Sequence, residues 1–136
     1  MARILIVDDH DQFRLELRLL IDGQSDWKVC AEAADGIEAI DKHRKADPHL
    51  TVMDFNMPLL DGLKASRQIL RERPDAAILM VTVSASDQLA KEAKRVGIRG
   101  FCSKKEGESI IRAIETLLRG KTYFSKTTLK VCKCVR

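Results

Sequence analysis

The sequence predicts an α/β fold in which a parallel sheet is covered by helices on both faces. Five short apolar runs alternate strictly with five segments of helical character. No repeat, low-complexity segment or internal linker interrupts this alternation, and 136 residues suit one domain with one core. Several apolar runs end in a carboxylate, a hydroxyl or a lysine. In open α/β sheets, the carboxyl ends of the strands form the edge where ligands bind.

The predicted strands span residues 3–7, 27–34, 50–53, 76–81 and 98–102. The run at 50–53 is apolar and too short for a helix before Pro58, so it is interpreted as a buried strand. The predicted helices span residues 10–22, 36–45, 63–73, 86–96 and 106–119. Glycine or proline follows each of them, as is typical of helix ends.

The helical periodicity predicts which side chains face the core. In the first helix they are Phe13, Leu17, Leu20 and Ile21. In the second and third helices they are Ile37, Ile40, Ile69 and Leu70.

The polar strand ends predict one site. Asp8 and Asp9 follow the first strand, Asp54 the third, Thr82 the fourth, and Lys104 lies just after the fifth. If all the strands are parallel, these residues meet at one edge of the sheet. Clustered carboxylates repel one another, and a divalent cation with oxygen ligands relieves that repulsion. Asp54 is therefore either a metal ligand or a nucleophile.

These positions, with Asp54-x-Asn56-Met57-Pro58 between them, resemble the receiver domain of bacterial two-component response regulators over residues 2 to 124. The resemblance implies a flavodoxin-like, doubly wound, five-stranded parallel sheet of order 2-1-3-4-5 with five helices. It also implies Mg²⁺ as cofactor. Asp9, Asp54 and the main-chain carbonyl of Asn56 would bind the ion directly, and Asp8 would act through water.

The same resemblance implies that Asp54 accepts a phosphoryl group as an acyl phosphate. Lys104 would supply a fixed positive charge, and Thr82 would donate its hydroxyl to a phosphoryl oxygen. Phe101 would then rotate into the space that Thr82 leaves, which makes a switch with two states. Such a domain assists its own phosphorylation and dephosphorylation and is not otherwise an enzyme. Its partner would be a sensor histidine kinase.

Each feature taken alone has an ordinary interpretation. The Asp-Asp pair could simply cap the following helix, and Thr82 could be a plain strand-end residue. A lysine such as Lys104 is usually solvated, and a phenylalanine such as Phe101 is usually part of the core. The prediction depends on all of them falling at the ends of alternating strands. Val83 departs from the small residue usual in the family and places a β-branched side chain at the mouth of the site. We expect a side chain there to hinder the entry of phosphoryl donors or of attacking water.

Asp8-Asp9-His10 with Arg14 resembles the NarL/FixJ branch, whose full proteins end in a LuxR-type helix-turn-helix domain. Residues 121–125 resemble the domain boundary in that branch. We therefore divide the chain into a receiver domain, 1–124, and a basic tail or truncated linker, 125–136.

The protein is interpreted as the regulatory domain of a transcriptional regulator that reaches DNA only through a domain absent from this chain. A stand-alone receiver that acts through protein partners is the alternative. His10 is interpreted as a helix-entry residue.

Composition and charge argue against a membrane span and against a nucleic-acid-binding face on the domain. The chain is 45% hydrophobic and 32% charged, and no apolar run approaches the length of about 20 residues that spans a membrane. The net charge of +4 resides entirely in the tail, so residues 1–124 sum to zero and predict no basic face for nucleic acid. We expect a cytoplasmic protein with its four cysteines reduced. Cys132-x-Cys134 lacks the second ligand pair that a zinc site requires.

The first and fifth helices carry more apolar residues than one buried face needs. Leu15 and Leu19 form a second apolar row on the first helix. The apolar residues of the fifth helix are Ile110, Ile111, Ala113, Ile114, Leu117 and Leu118. With the resemblance, this predicts a homodimer on phosphorylation through these two helices. Stray surface leucines are the alternative interpretation. The competing surface on the fourth and fifth helices is charged, with Lys91, Glu92, Lys94, Arg95 and Arg112.

Overall fold

The computed structural model describes residues 1–124. The tail at 125–136, with Cys132-x-Cys134, lies outside the described residues. The strands are β1 Ala2–Val7, β2 Trp27–Ala33, β3 Leu50–Met53, β4 Ile78–Thr82, β5 Gly100–Ser103 and β6 Tyr123–Phe124. The helices are α1 Asp11–Asp22, α2 Gly36–Ala46, α3 Gly62–Glu72, α4 Asp87–Val96 and α5 Gly107–Leu118. Within residues 1–124, no helix combines the length and apolar character that a membrane crossing requires.

All strands are parallel and their order is β2-β1-β3-β4-β5-β6. The predicted order 2-1-3-4-5 is therefore confirmed, with a sixth strand added at the β5 edge. In that strand, Tyr123 pairs with Gly100, and its N–H donates to the Arg99 carbonyl at 2.9 Å. Two residues are too short to show a strand pattern, which is why the sequence did not predict β6.

The strands alternate their side chains between two cores, one on each face of the sheet. Ile4 and Ile6 of β1 face α1 and α5, whereas Leu5 and Val7 face α2, α3 and α4. The β3 and β4 residues are all buried, as expected for central strands covered on both faces. Both faces of the sheet are therefore covered by helices, and the predicted site residues lie at the ends of its strands.

Two predicted core residues lie outside the core. Leu20 is 39% exposed and Ile37 is 57% exposed, so both predictions were wrong. In α1 the fully buried residues are Leu17 and Ile21, and Leu20 lies on the flank of that narrow stripe. In α2 the buried residues are Gly36, Ala39 and His43, which lie on one side of the helix. Ile37 is one position after Gly36 and therefore points away from that side. Small residues hold α2 close to the neighbouring loop, where a side chain on Gly36 would overlap the Leu60 carbonyl.

The loop after β3 contains a leucine in the left-handed region. Leu59 has a φ of 70° and is 77% exposed. A Cβ atom disfavours this conformation, whereas glycine adopts it readily. We expect Leu59→Gly to raise the free energy of unfolding by about 1 kcal/mol, measured by urea denaturation.

Leu59→Ala is the matched control for this substitution. Alanine keeps the Cβ atom but removes the exposed apolar side chain. An equal gain in both variants would mean that removal of exposed apolar surface, and not relief of backbone strain, causes the stabilisation.

Candidate functional site

The predicted site residues meet at the carboxyl edge of the sheet. Asp8 follows β1, Asp54 follows β3, Thr82 ends β4, and Lys104 follows β5. Main-chain hydrogen bonds continue one residue past the strands. The Asp8 N–H donates to Ala33 at 3.0 Å, and the Lys104 N–H donates to Thr82 at 3.1 Å. The backbone of these residues is therefore held by the sheet itself, independently of the contacts that their side chains make.

A buried lysine lies between two buried carboxylates. Lys104 Nζ is 2.6 Å from Asp8 Oδ2 and 3.4 Å from Asp54 Oδ2. The three side chains are only 8%, 2% and 2% exposed. The ammonium also lies 4.4 Å from the centre of the Phe13 ring, a cation–π distance. This placement contradicts the ordinary interpretation of Lys104 as a solvated surface residue.

The Asp54 carboxyl is held in an environment that disfavours its charge. Burial is the largest cause that raises its pKa above the usual value, and the negative charge of Asp8 raises it further. Lys104 and the Phe55 N–H, which donates to Oδ1 at 2.8 Å, oppose this shift without cancelling it. An additional cation near Asp54 would therefore favour its ionised form.

The carboxylates fit a divalent cation. Asp8, Asp9, His10 and Asp54 each offer a ligand atom, and these atoms all lie within 4.8 Å of one another. Asp9 Oδ1 is shielded from solvent, and the His10 ring nitrogen Nδ1 lies 3.1 Å from it. A shielded carboxylate oxygen needs partners that offset its lost hydration, and a cation would supply one. The donor set of carboxylate oxygens is the type that Mg²⁺ prefers.

Asn56 lies two residues after Asp54, in the loop that leads to α3. Its side-chain Nδ2 donates to Ser84 Oγ at 2.7 Å, which connects this loop to the one after β4. The role predicted for its main-chain carbonyl stays a prediction.

The two predicted switch residues are buried on neighbouring strands, Thr82 at the end of β4 and Phe101 on β5. Thr82 and Phe101 have no exposed surface, and Thr82 Oγ1 accepts a hydrogen bond from the Ser84 N–H at 3.2 Å. Val83 points outward and is 58% exposed. The rotation of Phe101 and the movement of Thr82 stay predictions.

Arg14 and Phe13 contribute to the site in ways that the sequence analysis missed. Arg14 Nη1 donates to the Asp8 carbonyl at 2.7 Å, and its Nε donates to Glu32 at 3.1 Å. Arg14 thereby connects α1 to the residue after β1 and to β2. The position of Arg14, one helical turn after His10, could have predicted this contact. That position lies on the side of α1 that faces the end of β1. Phe13 was assigned to the core, which concealed its contact with Lys104.

Comparisons with known proteins agree with this arrangement. The family model described as the response regulator receiver domain matches residues 4–115. The response regulator GacA of Pseudomonas protegens is 32% identical over 92% of this chain, which spans 59% of the length of that relative. Protein CcdB of Bacillus subtilis is 33% identical over 87% of this chain and 98% of its own length. A crystal structure of a LuxR-family two-component response regulator from Aurantimonas sp. is 32% identical with a TM-score of 0.94, covering 100% of this chain and 99% of that one.

Proposed function

Since this chain belongs to the response regulator receiver domain family, we propose that it receives a phosphoryl group on Asp54 and transmits the change to a partner. Receiver domains are phosphoacceptors and not enzymes in the usual sense. The predicted LuxR-type branch is confirmed by the LuxR-family neighbour of 32% identity. The observation that carries the proposal is the Asp54 carboxyl at the end of the central strand, 3.4 Å from the Lys104 ammonium.

Asp54 is the proposed nucleophile. Its Oδ1 accepts the Phe55 N–H and its Oδ2 faces Lys104, so the carboxyl is held in one orientation. Oδ2 would attack the phosphorus of the donor, and an acyl phosphate would form as the bond to the leaving group breaks. Lys104 would then neutralise part of the charge on the phosphoryl group, since its Nζ already lies within reach of both Asp8 and Asp54.

Asp9, Asp54 and the Asn56 carbonyl are the residues that would hold Mg²⁺ directly, with Asp8 acting through water. When bound, the ion would offset the negative charge of the carboxylates and of the incoming phosphoryl group. The position of Asp9 Oδ1, shielded from solvent within the carboxylate cluster, supports this assignment.

Thr82 is suited to detect the phosphoryl group. Its Oγ1 accepts a hydrogen bond from Ser84, so the hydroxyl proton is available for a second partner. A phosphoryl oxygen on Asp54 would draw the hydroxyl inward and pull on the loop after β4. Phe101 would then move into the space released.

Metal binding provides the first test. We expect millimolar Mg²⁺ to raise the midpoint of thermal unfolding, because the ion binds only the folded arrangement of carboxylates. A concentration ten times the dissociation constant corresponds to about 1.4 kcal/mol of added stability.

Asp9→Ala should lose this response, and the control Asp75→Ala should retain it because Asp75 lies outside the cluster. No rise in the unmodified protein, or an equal rise in Asp9→Ala, would count against a metal site at these residues.

Two kinds of receiver protein fit this chain, and they differ in how the phosphorylated state is passed on. The LuxR-family neighbour supports the regulatory domain of a transcriptional regulator, phosphorylated by a sensor histidine kinase in the cytoplasm. The match to almost all of CcdB favours the alternative, a receiver that signals without a further domain. The genomic reading frame after Arg136 distinguishes them. A helix-turn-helix coding region there supports the regulator, and a stop codon supports the alternative.

Apolar residues on α1 support the predicted homodimer. Leu15 and Leu19 are 41% and 64% exposed, one helical turn apart. On α5, which lies on the same face of the sheet, Ile111 and Leu118 are only half-buried. Together these side chains would form an apolar surface across both helices.

We expect beryllofluoride, a mimic of the phosphoryl group, to convert the protein from monomer to dimer in sedimentation velocity experiments. Leu15→Asp/Leu19→Asp should stay monomeric, because burial of two carboxylates opposes association. Lys91→Glu/Arg95→Glu on α4 is the control for the competing surface. A dimer that survives the leucine changes but is lost with the charge reversals would contradict the α1–α5 surface.

A further inference from the structure

We propose that Phe13 is a positioning residue for phosphoryl transfer, and that its ring holds the Lys104 ammonium where it can stabilise the charge of the phosphoryl group. This inference rests on the proposed function of Asp54. It adds a residue that acts through Lys104 and does not touch the phosphoryl group itself. It also revises the interpretation of Phe13 as only a core residue.

The Lys104 side chain needs a restraint that its backbone does not provide. Its main-chain N–H donates to the Thr82 carbonyl at 3.1 Å, but the ammonium lies at the end of a flexible four-carbon stem. A fixed charge accelerates a reaction most when it is already in place, because no reorganisation is then needed. A mobile ammonium would therefore contribute less to phosphoryl transfer.

The Phe13 ring supplies such a restraint. Lys104 Nζ lies over this ring, 4.4 Å from its centre, and the Lys104 side chain is only 8% exposed. Cation–π attraction is strongest where water is excluded from the contact. An ammonium has three N–H donors, and the carboxylates of Asp8 and Asp54 can accept two of them. The ring is a suitable partner for the third, because it attracts the charge less tightly than a further carboxylate would.

The ring is itself held in place by α1. Phe13 is half-buried and packs against the core that α1 shares with α5. The next residue, Arg14, donates to the Asp8 carbonyl at 2.7 Å and to Glu32 at 3.1 Å, which attaches the first turn of α1 to the strands. Core packing alone would be satisfied by any apolar side chain of similar size, whereas attraction of the ammonium requires an aromatic ring.

Fluorinated phenylalanines introduced at position 13 alone, in the full chain, separate these two roles. Fluorine draws electron density from the ring and weakens its attraction for a cation, while the shape of the side chain changes little. We expect the rate constant of phosphorylation by acetyl phosphate with Mg²⁺ to fall with each added fluorine. Phe13→Leu should lower this rate constant about fivefold, and Phe13→Tyr should keep it within about twofold of the unmodified value.

Phe124→Leu is the matched control. The Phe124 ring lies 4.5 Å from Lys94 Nζ, a contact of the same kind at the β6 edge of the sheet. Loss of this ring should lower stability in urea denaturation but leave the rate of phosphorylation unchanged. An independent readout is the NMR spectrum of the Lys104 side chain. The current in the Phe13 ring should shift the Lys104 ε-methylene protons upfield, and Phe13→Leu should remove that shift.

A rate that stays constant across the fluorinated series would overturn the proposal, because Phe13 would then have a role in packing alone. An equal loss of rate in Phe13→Leu and Phe124→Leu, or absence of the upfield shift in the unmodified chain, would also overturn it. The unmodified chain distinguishes this failure from failure of the proposed function. If neither it nor Val83→Ala takes up a phosphoryl group, Asp54 is not a phosphoacceptor, and the inference fails with that function.

Discussion

Asp54→Asn is expected to abolish phosphorylation by acetyl phosphate in the presence of Mg²⁺. The amide is a poor nucleophile and cannot form an acyl phosphate. Asp54 also has the orientation that the reaction needs, with Oδ1 bound by the Phe55 N–H and Oδ2 facing Lys104. Intact-mass spectrometry of both proteins after incubation provides the measurement. The unmodified chain should gain one phosphoryl group and the variant none.

Asp61→Asn is the matched control, since Asp61 lies in the same loop and caps α3 through the Lys64 N–H at 2.8 Å. Asparagine also serves as an N-cap, so this variant should fold and be phosphorylated normally. Equal phosphorylation of Asp54→Asn and the unmodified chain would refute the assignment. If even the unmodified chain fails to react, Val83→Ala should restore the reaction by opening the mouth of the site.

Gly62→Ala is expected to destabilise the fold by about 3 kcal/mol, the upper part of the range for overpacking. Gly62 is the first residue of α3, and a Cβ atom there would overlap the main-chain carbonyl of Asp54. The clash is with backbone, which cannot move aside without displacing the phosphoacceptor. Urea denaturation measures the loss of stability. The rate of phosphorylation should fall as well, in the fraction that still folds.

Gly107→Ala provides the comparison for this substitution. Gly107 is likewise the first residue of a helix, but a Cβ atom there meets no neighbouring atom within 4 Å. We expect a change within about 1 kcal/mol, in the stabilising direction. Similar losses in the two variants would show that helix starts in general, and not the approach to Asp54, require glycine here.

The sequence predicted the sheet because its central strands are covered on both faces. Residues 50–53 and 78–82 are apolar almost throughout, and such runs between helices have few alternatives to a parallel sheet. The site was predictable for the same reason, since parallel strands bring Asp8, Asp54 and Lys104 to one edge. The order of the strands came from the family resemblance and not from the pattern itself.

Other features depend on contacts that periodicity does not encode. Leu20 and Ile37 are apolar and one position away from a buried stripe, so only the packing of each helix decides their exposure. The side chain of His10 could have capped α1 or turned towards the aspartates, and the sequence is the same in both cases. The ring of Phe13 over Lys104 joins residues 91 positions apart, beyond any local signal.

The short strand β6 has a consequence for how the chain can be shortened. An unpaired strand edge attracts strands of other molecules, which leads to aggregation. β6 covers part of the β5 edge through Tyr123 and Phe124, and the Phe124 ring lies 4.5 Å from Lys94 Nζ of α4. A boundary drawn at the end of α5 would leave the backbone of Gly100 and Phe101 open to such pairing. The smallest well-behaved unit of this protein therefore extends through Phe124, beyond the last helix.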